Sequence, residues 1–519
     1  SLRQQGLLST RSLYFVIAGL WRHGFNMLAL LYQAAHLHAT QNALCIGYQS
    51  QNADECVDWQ TLYRDCLHCA AVLSMSSAWQ TRQKVAVLCR NQKMSVVTLC
   101  TLTAGGMPVL VFNADMSTER LMARLHDYRP ALILVDDDLQ DKVATPAFNT
   151  LTASALKEAM EAIQSPGKLS RRMVGPVQVM TSSNSRIVER KINPLTILKP
   201  VSVLLETLSP HCHHSLYLAP PFYHGYGLTV MYLALCLRKQ ILLTPRFHAP
   251  TAARLIRHYQ ADMIVVVPAM LLQLLNEMPD NASLKSVLTG SAPLSLHLAM
   301  RTRQQWGELL YNLYSTAESG FALLATPEML AQKPNSIGRP FPGVKVLLRK
   351  SSGEICATNE IGELWLETSW SARKDKCALF TGDLAYQDAD GDIFLKGRAD
   401  DMAVCGGEKV YPQDVCAVVL RYPEISQAAV IAIDDETFGQ RVAIFAQSYD
   451  NKLDLHDMRL WLTKYLARYQ MPARIVLMRH FPVNEAGKVN KEALLTQLAA
   501  MTEKDGWAID ENDLDFTQN

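Results

Sequence analysis

Short apolar runs alternate with longer amphipathic segments over most of the chain. Four runs are rich in Val, Ile and Leu, as buried strands are: KVAVLC (84–89), MPVLVF (107–112), ALILVD (131–136) and ADMIVVVP (261–268). Between two of them, TERLMARLHDYRP (118–130) has apolar residues at helical spacing and ends at Pro130. Buried parallel strands joined by crossover helices produce this alternation, so the pattern predicts an α/β fold.

The pattern changes after Gly397. Before that point, VKVLLR (344–349) and GELWLE (362–367) predict a second set of strands. Beyond it, residues 428–447 predict a hairpin and residues 455–472 predict a helix that ends at Pro472. We therefore expect a large N-terminal multi-sheet α/β domain at 1–398 and a small α+β C-terminal domain at 399–500. The acidic, aperiodic residues 501–519 predict a disordered tail.

Composition narrows the classes of function. The 519 residues are 49% hydrophobic and 19% charged, which is enough apolar chain for two or three packed domains. The net charge is +1. A balanced charge gives no broad field for nucleic acid, so we expect small-molecule chemistry and no nucleic-acid partner. The 12 Cys are scattered through apolar or helical stretches, and no secretory signal is recognised. This favours a reducing cytoplasm over an oxidised extracellular framework.

The segment at residues 12–39 is apolar and helical in pattern. Arg22, His23 and Asn26 interrupt it before it reaches the ~20 uniformly apolar residues that a membrane span needs. It therefore predicts an amphipathic helix. Two interpretations stay open: the helix packs against the large domain, or it makes peripheral contact with a membrane, where an enzyme would collect lipid acids.

Two motifs near the C-terminus carry most of the information about function. PVNEAGKVNK (482–491) presents Lys488 on a glycine-containing turn, and FTGDLAYQDADGDIFLKGRADDMAVCGGEKVYP (380–412) lies upstream of it. In order and spacing they resemble the adenylate-forming superfamily: acyl-CoA synthetases, luciferases and peptide-synthetase adenylation domains. The resemblance extends from about residue 40 to residue 497 and is closest to fatty acyl-CoA synthetases.

The resemblance implies a reaction in two steps. A carboxylic acid, such as a fatty or other apolar acid, reacts with ATP to give an acyl adenylate and pyrophosphate. A thiol, either CoA or the pantetheine of a carrier protein, then takes the acyl group. ATP, Mg²⁺ and CoA are the implied cofactors, and the small C-terminal domain is implied to be mobile.

The same resemblance assigns roles to individual residues. Lys488 would stabilise the charge that develops between the acid and the α-phosphate. Asp383 would accept hydrogen bonds from both ribose hydroxyls, because a carboxylate has two acceptor oxygens. Arg398 would contact ribose or phosphate. A lysine on a turn, or an exposed Asp–Arg pair, is usually a solvated surface feature, but the joint spacing favours the catalytic interpretation.

Domain rotation is the second implied role of this region. Asp401 lies where the superfamily has its hinge residue. Rotation there would bring Gly406 and Gly407 to the site, where the lack of side chains lets a pantetheine pass close to the backbone.

In the large domain, YNLYSTAES (311–319) resembles the motif written Y-G-x-T-E. Tyr314 would stack on adenine, and Glu318 would hold Mg²⁺ on the ATP phosphates, since hard cations prefer oxygen ligands. Ala317 stands where a threonine hydroxyl normally meets the α-phosphate, and Thr316 lies one residue early.

Two further segments complete the predicted site. LTGSAPL (288–294) resembles the loop that lines the adenine pocket with the main-chain groups of Gly290, Ser291 and Ala292. APPFYHGYGL (219–228) resembles the segment beside the acyl pocket and contains His224 and Gly225. A lone histidine is more often a satisfied core residue, so His224 would gate the pocket rather than catalyse.

MTSSNSRIVERK (180–191) departs most from the superfamily. It occupies the position of the phosphate loop T-S-G-T-T-G-x-P-K-G and keeps Thr181 and Ser182, but Arg186 and Glu189 replace a glycine and the lysine. Most of the backbone-amide nest for the β- and γ-phosphates is therefore lost. Either nearby cations such as Lys191 supply the positive charge for the phosphates in place of the missing lysine, or the protein uses ATP less effectively.

Three functions follow from these observations. The leading hypothesis is an AMP-forming acid–thiol ligase. A close variant passes the acyl group to an amine or a carrier protein, and a third alternative is a non-catalytic relative that binds acyl adenylate or nucleotide. Retention of Lys488 favours catalysis. Metal binding by CLHC (66–69) or HCHH (211–214) is disfavoured, because the first lacks a second ligand pair and adjacent residues rarely converge on one ion.

Overall fold

The computed structural model describes most of the chain. The described residues are 9–49, 53–166, 174–180, 187–190, 213–281, 283–316, 318–368, 370, 378–405, 408–435, 438–449, 453–483, 488–500 and 507–508.

Helices and strands alternate along these residues. The strands, in chain order, are β1 (Asn42–Ile46), β2 (Glu55–Asp58), β3 (Val85–Leu88), β4 (Val109–Val111), β5 (Leu132–Val135), β6 (Thr150–Thr152), β7 (Val177–Met180), β8 (Ile187–Arg190), β9 (Ser215–Leu218), β10 (Gln240–Leu243), β11 (Met263–Val266), β12 (Ser286–Gly290), β13 (Leu310–Thr316), β14 (Gly320–Ala325), β15 (Arg339–Pro340), β16 (Val344–Arg349), β17 (Gly362–Thr368), β18 (Leu379–Gln387), β19 (Ile393–Arg398), β20 (Ala403–Cys405), β21 (Glu408–Val410), β22 (Ile425–Asp435), β23 (Gly439–Ser448), β24 (Arg474–Leu477) and β25 (Trp507–Ala508).

The α-helices, in the same order, are α1 (Thr10–His23), α2 (Met27–Leu37), α3 (Trp59–Ser74), α4 (Ser77–Gln80), α5 (Lys93–Ala104), α6 (Thr118–Tyr128), α7 (Ala153–Glu161), α8 (Gly225–Cys236), α9 (Ala249–His258), α10 (Pro268–Glu277), α11 (Leu296–Trp306), α12 (Pro327–Gln332), α13 (Pro412–Val419), α14 (Leu455–Thr463) and α15 (Lys491–Ala500). Short 3-10 helices span Asp137–Lys142 and Arg468–Gln470. None of the described helices combines the length and the apolar run that crossing a bilayer requires.

The described strands form four sheets. The largest has the order β15-β14-β13-β12-β11-β9-β10-β1-β2, with β1 and β9 to β13 parallel to their neighbours and β2, β14 and β15 antiparallel. The second, β6-β5-β3-β4-β7-β8, is parallel except for β8. Strands β16 to β19 form an antiparallel sheet, and β20 to β25 form the sheet nearest the C-terminus.

The predicted α/β class is confirmed. The four Val-, Ile- and Leu-rich runs are β3, β4, β5 and β11, whose residues are buried throughout. The two later runs are β16 and β17, and the predicted hairpin is the β22–β23 pair. The domain boundary near residue 398 stays a prediction; β19 ends at Arg398 and β20 begins at Ala403.

One apolar cluster connects the two parallel sheets. It contains Leu44 of β1 and Val87 of β3 together with Leu62 of α3, Val96 of α5 and Met231 of α8, each at most 1% exposed. Burying such a side chain stabilises the fold by about 1.5–3 kcal/mol. The cluster therefore holds the sheets, and with them the ends of their strands, in fixed positions.

The predicted single helix at residues 12–39 is wrong, because the segment forms two helices, α1 and α2. Gly24 ends α1 with a φ of +83°, a left-handed conformation that favours glycine. Asn26 then caps α2: its Oδ1 accepts a hydrogen bond from the Leu28 N–H at 3.0 Å, and its Nδ2 donates to the His23 carbonyl at 2.8 Å. These two residues make the break that the apolar pattern alone did not reveal.

Two C-terminal predictions also need correction. Helix α14 ends at Thr463 rather than at Pro472, and a short 3-10 helix at Arg468–Gln470 fills part of the interval. In that helix the Gln470 side chain accepts a hydrogen bond from the Ala467 N–H, which satisfies the start of a separate turn. Within the predicted disordered tail, Trp507 and Ala508 pair with β24; the other residues of 501–519 lie outside the described part.

Cysteine chemistry differs from the expectation at one pair. Cys45 and Cys56 face each other across β1 and β2 and form a disulfide. The other described cysteines are free, and several of them lie in the core. Cys66 and Cys69 of the CLHC segment are fully buried in α3, and burial raises the pKa of Cys69 to about 12, so these thiols stay protonated.

The close packing of α1 on α2 is testable at Gly19. A Cβ on Gly19 would lie 2.4 Å from the Ala29 carbonyl oxygen of α2. Gly19→Ala should therefore lower the free energy of unfolding by about 1–3 kcal/mol, the usual cost of overpacking, despite the better helix propensity of alanine. Gly225→Ala is the matched control, because nothing lies within 4 Å of its added Cβ. Equal thermal denaturation midpoints for the two variants would contradict this packing.

Candidate active site

The largest sheet gathers three predicted segments at one edge. Strands β9, β12 and β13 are parallel, and their carboxyl ends lie at Leu218, Gly290 and Thr316. The carboxyl ends of parallel strands meet at the same edge, where open α/β sheets bind their ligands. The His224 segment, the Gly290 loop and the YNLYSTAES motif are therefore neighbours.

The Gly290 loop is shaped by two backbone features. A Cβ on Gly290 would lie 2.7 Å from the Leu313 carbonyl oxygen, so β12 and β13 approach too closely for a side chain. Ser291 has a φ of +66°, which turns the chain sharply before Ala292. Tyr226 of α8 donates to the Leu288 carbonyl at 3.1 Å and ties the loop's base to the acyl-pocket segment. The adenine-lining role of this loop stays a prediction.

The acyl-pocket segment is held by a buried asparagine. Asn91 donates from Nδ2 to the Pro220 carbonyl at 3.1 Å, and its Oδ1 accepts from the Phe222 N–H at 2.9 Å. A Cβ on Gly227 would lie 2.3 Å from the Pro220 carbonyl oxygen, so α8 packs directly on this turn. The turn places His224 at the N-cap of α8, half-buried, with Gly225 exposed beside it.

The turn between β13 and β14 contains the expected magnesium ligand. Glu318 is half-buried there, and Ala317 lies outside the described residues. The Thr316 hydroxyl donates to Ser319 Oγ at 2.9 Å and accepts from the Ser319 N–H at 3.0 Å. Thr316 therefore braces the turn. Sequence reasoning missed Ser319, whose only signal was its position in the motif.

Asp383 lies at the centre of the described site. Tyr314 of β13 donates from its hydroxyl to Asp383 Oδ2 at 2.5 Å, and Arg398 Nη1 lies 3.7 Å from Asp383 Oδ1. Asp383 and Arg398 are paired across β18 and β19. The hydrogen bond therefore joins the largest sheet to the antiparallel sheet, and it brings three predicted residues together.

Gly382 makes room for the arginine. Its φ is +83°, and a Cβ there would lie 2.6 Å from Arg398 Nη2. The guanidinium is held from its other side by Asp400, which accepts from Arg398 Nε at 2.9 Å and from Nη2 at 3.3 Å. Sequence reasoning did not assign Asp400 a role, although it lies within the quoted GRADD motif.

Lys488 reaches this cluster from the C-terminal part of the chain. Its turn is closed by the hydrogen bond from the Asn490 N–H to the Pro482 carbonyl at 2.7 Å and by a bridge between Val483 and Val489. The residue is exposed, and the desolvation that the surrounding protein still imposes on its charge lowers the pKa of Lys488. The Asp383 carboxylate opposes that shift, and the Arg398 guanidinium adds to it.

The same charges act on Asp383. Burial raises the pKa of Asp383, while the Tyr314 hydroxyl and the Arg398 and Lys488 cations oppose the rise. Burial thus disfavours the ionised carboxylate, and Tyr314, Arg398 and Lys488 each stabilise that ionised form. An ionised Asp383 is the form that can accept two hydrogen bonds from a ribose diol.

Asp401, the predicted hinge residue, is paired in this conformation. Lys491 at the start of α15 forms an ion pair with it. The pair links the segment after β19 to the helix that follows the Lys488 turn. Sequence reasoning missed Lys491, since nothing in its pattern singled out a partner so far away in the chain.

Four predicted residues lie outside the described part: Thr181, Ser182, Gly406 and Gly407. The proposed phosphate-loop segment is nonetheless bounded on both sides. Residues 187–190 form β8, in which Glu189 pairs with Gln178 of β7. Glu189 therefore belongs to a strand, and the phosphate-binding role of residues 180–191 stays a prediction.

Two other polar clusters do not belong to the site. Asp388 and Asp392 contact the ammonium of Lys333 at 2.5 and 2.8 Å, so a cation of the chain already fills the space between them. His213, from the HCHH segment, is buried and has its Nε2 3.2 Å from Ser286 Oγ. It lies at the amino ends of the parallel strands, on the edge opposite the predicted site.

Two family profiles match the chain. The profile of the AMP-binding enzyme family matches residues 193–374, and the profile of the AMP-binding enzyme C-terminal domain matches residues 415–488. The chain belongs to the adenylate-forming superfamily. It is an enzyme of the AMP-forming acid–thiol ligase class. Both profiles lie outside residues 180–191, where the sequence departs most from the superfamily.

Curated relatives are of similar length. A 2-succinylbenzoate–CoA ligase from Lactococcus lactis subsp. lactis is 25% identical over 80% of this chain and 90% of its own length. A 2-succinylbenzoate–CoA ligase from Bacillus subtilis is 23% identical over 79% and 87%, respectively.

Solved structures share the fold. The o-succinylbenzoate CoA synthetase of Bacillus subtilis in complex with its acyl-adenylate intermediate has a TM-score of 0.75 at 20% identity, over 90% of this chain and 97% of that one. The amide bond synthetase of Marinactinospora thermotolerans has a TM-score of 0.77 at 20% identity, over 91% and 99%.

The described residues offer the kinds of groups that the predicted nucleotide site requires. Asp383 offers carboxylate oxygens, and the Gly290 loop offers main-chain groups at the same edge. Glu318 offers the hard oxygen that Mg²⁺ prefers. The predicted CoA-contacting glycines, Gly406 and Gly407, lie outside the described part, and the nucleotide-binding roles of the other residues stay predictions.

Removing the Tyr314 hydroxyl tests the contact with Asp383. Tyr314→Phe should weaken AMP binding about 3- to 10-fold, the scale of one hydrogen bond. Because the lost donor opposed the raised pKa of Asp383, the pH above which AMP binds should move upward. Calorimetric titration with AMP across pH measures both effects. Tyr311→Phe, in the same strand, is the control and should change neither; an unchanged pH profile in Tyr314→Phe would contradict the assignment.

Proposed function

We propose that this protein activates an apolar carboxylic acid with ATP and transfers the acyl group to CoA. One observation supports the proposal above the others. The Lys488 ammonium opposes the burial-raised pKa of Asp383, the proposed ribose anchor, and the Lys491–Asp401 ion pair holds the same C-terminal segment beside the end of β19. A protein that only bound nucleotide would have no need of Lys488. A cytoplasmic location, where ATP and CoA are available, is part of the proposal.

The acid is proposed to be aromatic or otherwise apolar. The relatives from Lactococcus lactis and Bacillus subtilis are ligases for 2-succinylbenzoate, which has an aromatic ring. They do not support the narrower expectation of a fatty acid. A methylene changes discrimination by only about 1–3 kcal/mol, so chain length has to be measured.

In the first half-reaction the acid's carboxylate oxygen attacks the α-phosphorus. A new P–O bond forms as the bond to pyrophosphate breaks, and two electrons leave with the pyrophosphate oxygen. Lys488 stabilises the negative charge that develops between the reacting groups. Its lowered pKa implies that this charge is lost as the pH rises through that value, at a lower pH than for an ordinary lysine.

Other residues position the nucleotide for that attack. Asp383 holds the ribose hydroxyls, and Tyr314 keeps the carboxylate in place through its hydroxyl. Arg398, fixed by Asp400, contributes positive charge near the ribose and phosphates. Glu318 would hold Mg²⁺, which neutralises the charge on the departing pyrophosphate.

The second half-reaction requires a different arrangement. The thiolate of CoA attacks the acyl carbonyl, a C–S bond forms, and AMP leaves with the electrons of the broken C–O bond. We propose that the C-terminal part rotates about Asp401 to bring Gly406 and Gly407 to the site. The ion pair between Lys491 and Asp401 would stabilise the arrangement seen here, with Lys488 at the nucleotide anchor.

An amine is the second candidate acceptor. The observation that favours it is the shared fold with the amide bond synthetase of Marinactinospora thermotolerans. An amine would attack the same acyl carbonyl and release the same AMP. The choice between the two acceptors is therefore made after Lys488 has acted, so the first half-reaction is common to both.

A panel of acids assayed for pyrophosphate release tests the proposal. Aromatic and fatty acids are each supplied with ATP and Mg²⁺, then with CoA or an amine added. We expect acid-dependent pyrophosphate release, and an acyl-CoA product when CoA is present. Lys488→Ala should lower adenylate formation by about 10²-fold or more, because it removes a charge that acts as the transition state forms.

Two controls make the outcome specific. Lys464→Ala removes an exposed lysine of the same C-terminal part and should leave both half-reactions unchanged. Lys488→Ala should still convert a supplied acyl adenylate to acyl-CoA. Equal loss of both half-reactions would contradict the role of Lys488. Tight AMP binding without pyrophosphate release from any acid would favour the non-catalytic alternative.

A further inference from the structure

The outer face of helix α1 is an exposed apolar surface. Leu13, Tyr14, Ile17 and Trp21 expose 47, 65, 58 and 73% of their surface, and Phe25, just beyond the helix, exposes 57%. Steps of three and four residues place Tyr14, Ile17 and Trp21 on one side of the helix. These five residues are called the α1 apolar face below.

The opposite side of α1 is packed firmly. Ser12, Gly19 and His23 are buried, and Gln33 of α2 donates to Ser12 Oγ at 2.6 Å. His23 Nε2 lies 2.7 Å from the Tyr63 hydroxyl of α3. With one side fixed in this way, the helix cannot turn to bury the α1 apolar face without losing these contacts.

The charge of this region is distinctive. Residues 1–53 contain no Asp and no Glu but contain Arg3, Arg11 and Arg22, whereas the whole chain is nearly neutral at +1. Arg11 and Arg22 are exposed and lie three helical turns apart, beside the α1 apolar face. The surface therefore combines aromatic and aliphatic side chains with an unbalanced positive charge.

We propose that the α1 apolar face docks this protein on an anionic lipid surface. Trp and Tyr favour the boundary between lipid headgroups and acyl chains, where an apolar ring and a polar group are both accommodated. A helix with an apolar face and flanking arginines lies in the plane of that boundary and gains attraction from anionic lipids. Leu13 and Ile17 supply the aliphatic part that enters the acyl region.

Charge also distinguishes a lipid surface from a second copy of the chain. A two-fold contact through the α1 apolar face would bring Arg11 and Arg22 close to the same residues of the partner copy, with no acidic residue in the segment to offset them. Anionic headgroups offset that charge instead. The proposal concerns binding alone, so it can succeed or fail independently of the catalytic assignment.

Vesicle co-sedimentation tests the proposal. The full chain is mixed with phosphatidylcholine vesicles that contain or lack phosphatidylglycerol, at low and high ionic strength. We expect binding to the anionic vesicles that weakens with salt. The double variant Ile17→Ser/Trp21→Ser should bind them at least about tenfold more weakly, since it removes most of the inserted apolar area.

Two further variants control for other causes. Tyr449→Ser/Leu460→Ser removes comparably exposed apolar side chains, at 55 and 51%, from the C-terminal part and should bind like the wild type. Arg11→Gln should weaken binding only to anionic vesicles and only at low salt. Thermal denaturation midpoints of all variants should match the wild type, because the substituted residues are exposed.

Three results would overturn the proposal. The first is equal binding of anionic vesicles by the wild type and Ile17→Ser/Trp21→Ser. The second is binding that is the same on neutral and anionic vesicles and insensitive to salt. The third is self-association that disappears in Ile17→Ser/Trp21→Ser while no vesicle binds, which would assign the face to a second copy of the chain.

Discussion

The hydrogen bond from Tyr314 to Asp383 is the interaction on which the rest of the site depends. It joins a strand of the parallel sheet to a strand of the antiparallel sheet, at a donor–acceptor distance of 2.5 Å. Burial raises the pKa of Asp383, so the ionised carboxylate needs this donor and the neighbouring cations to persist. Arg398 and Lys488 supply those cations from two separate parts of the chain.

The strands could be predicted from the sequence because a strand buried on both faces has apolar residues at consecutive positions. Runs such as VAVL and MIVV are apolar at every position, as parallel strands covered on both faces are. Helix boundaries were less predictable. Gly24 ends the first helix with a left-handed φ, and the Asn26 side chain caps the second. Glycine and asparagine also occur within continuous helices, so their presence alone did not predict a break.

The site could be predicted only where a motif fixed the chemistry. Asp383, Arg398 and Lys488 were predicted from the spacing of their motifs, and their catalytic roles stay predictions. The structure places Arg398 near Asp383, and the charges of these two residues shift the pKa of Lys488 in opposite directions. Asp400 and Lys491 were not assigned, because their roles come from tertiary partners: the Arg398 guanidinium and the Asp401 carboxylate. The strand position of Glu189 was likewise missed. It depends on antiparallel pairing with β7, and the loop motif carries no information about that pairing.

The central claim is that Tyr314 and Arg398 act on the nucleotide through the Asp383 carboxylate. A double-mutant cycle in AMP affinity tests this claim most directly. AMP affinity is measured by calorimetry for the wild type, Tyr314→Phe, Arg398→Gln and the double variant. Residues that share a partner show coupling energies of about 0.5–3 kcal/mol. We expect coupling within that range. Additive losses would contradict the account, because they would mean that the two residues hold the nucleotide independently of Asp383.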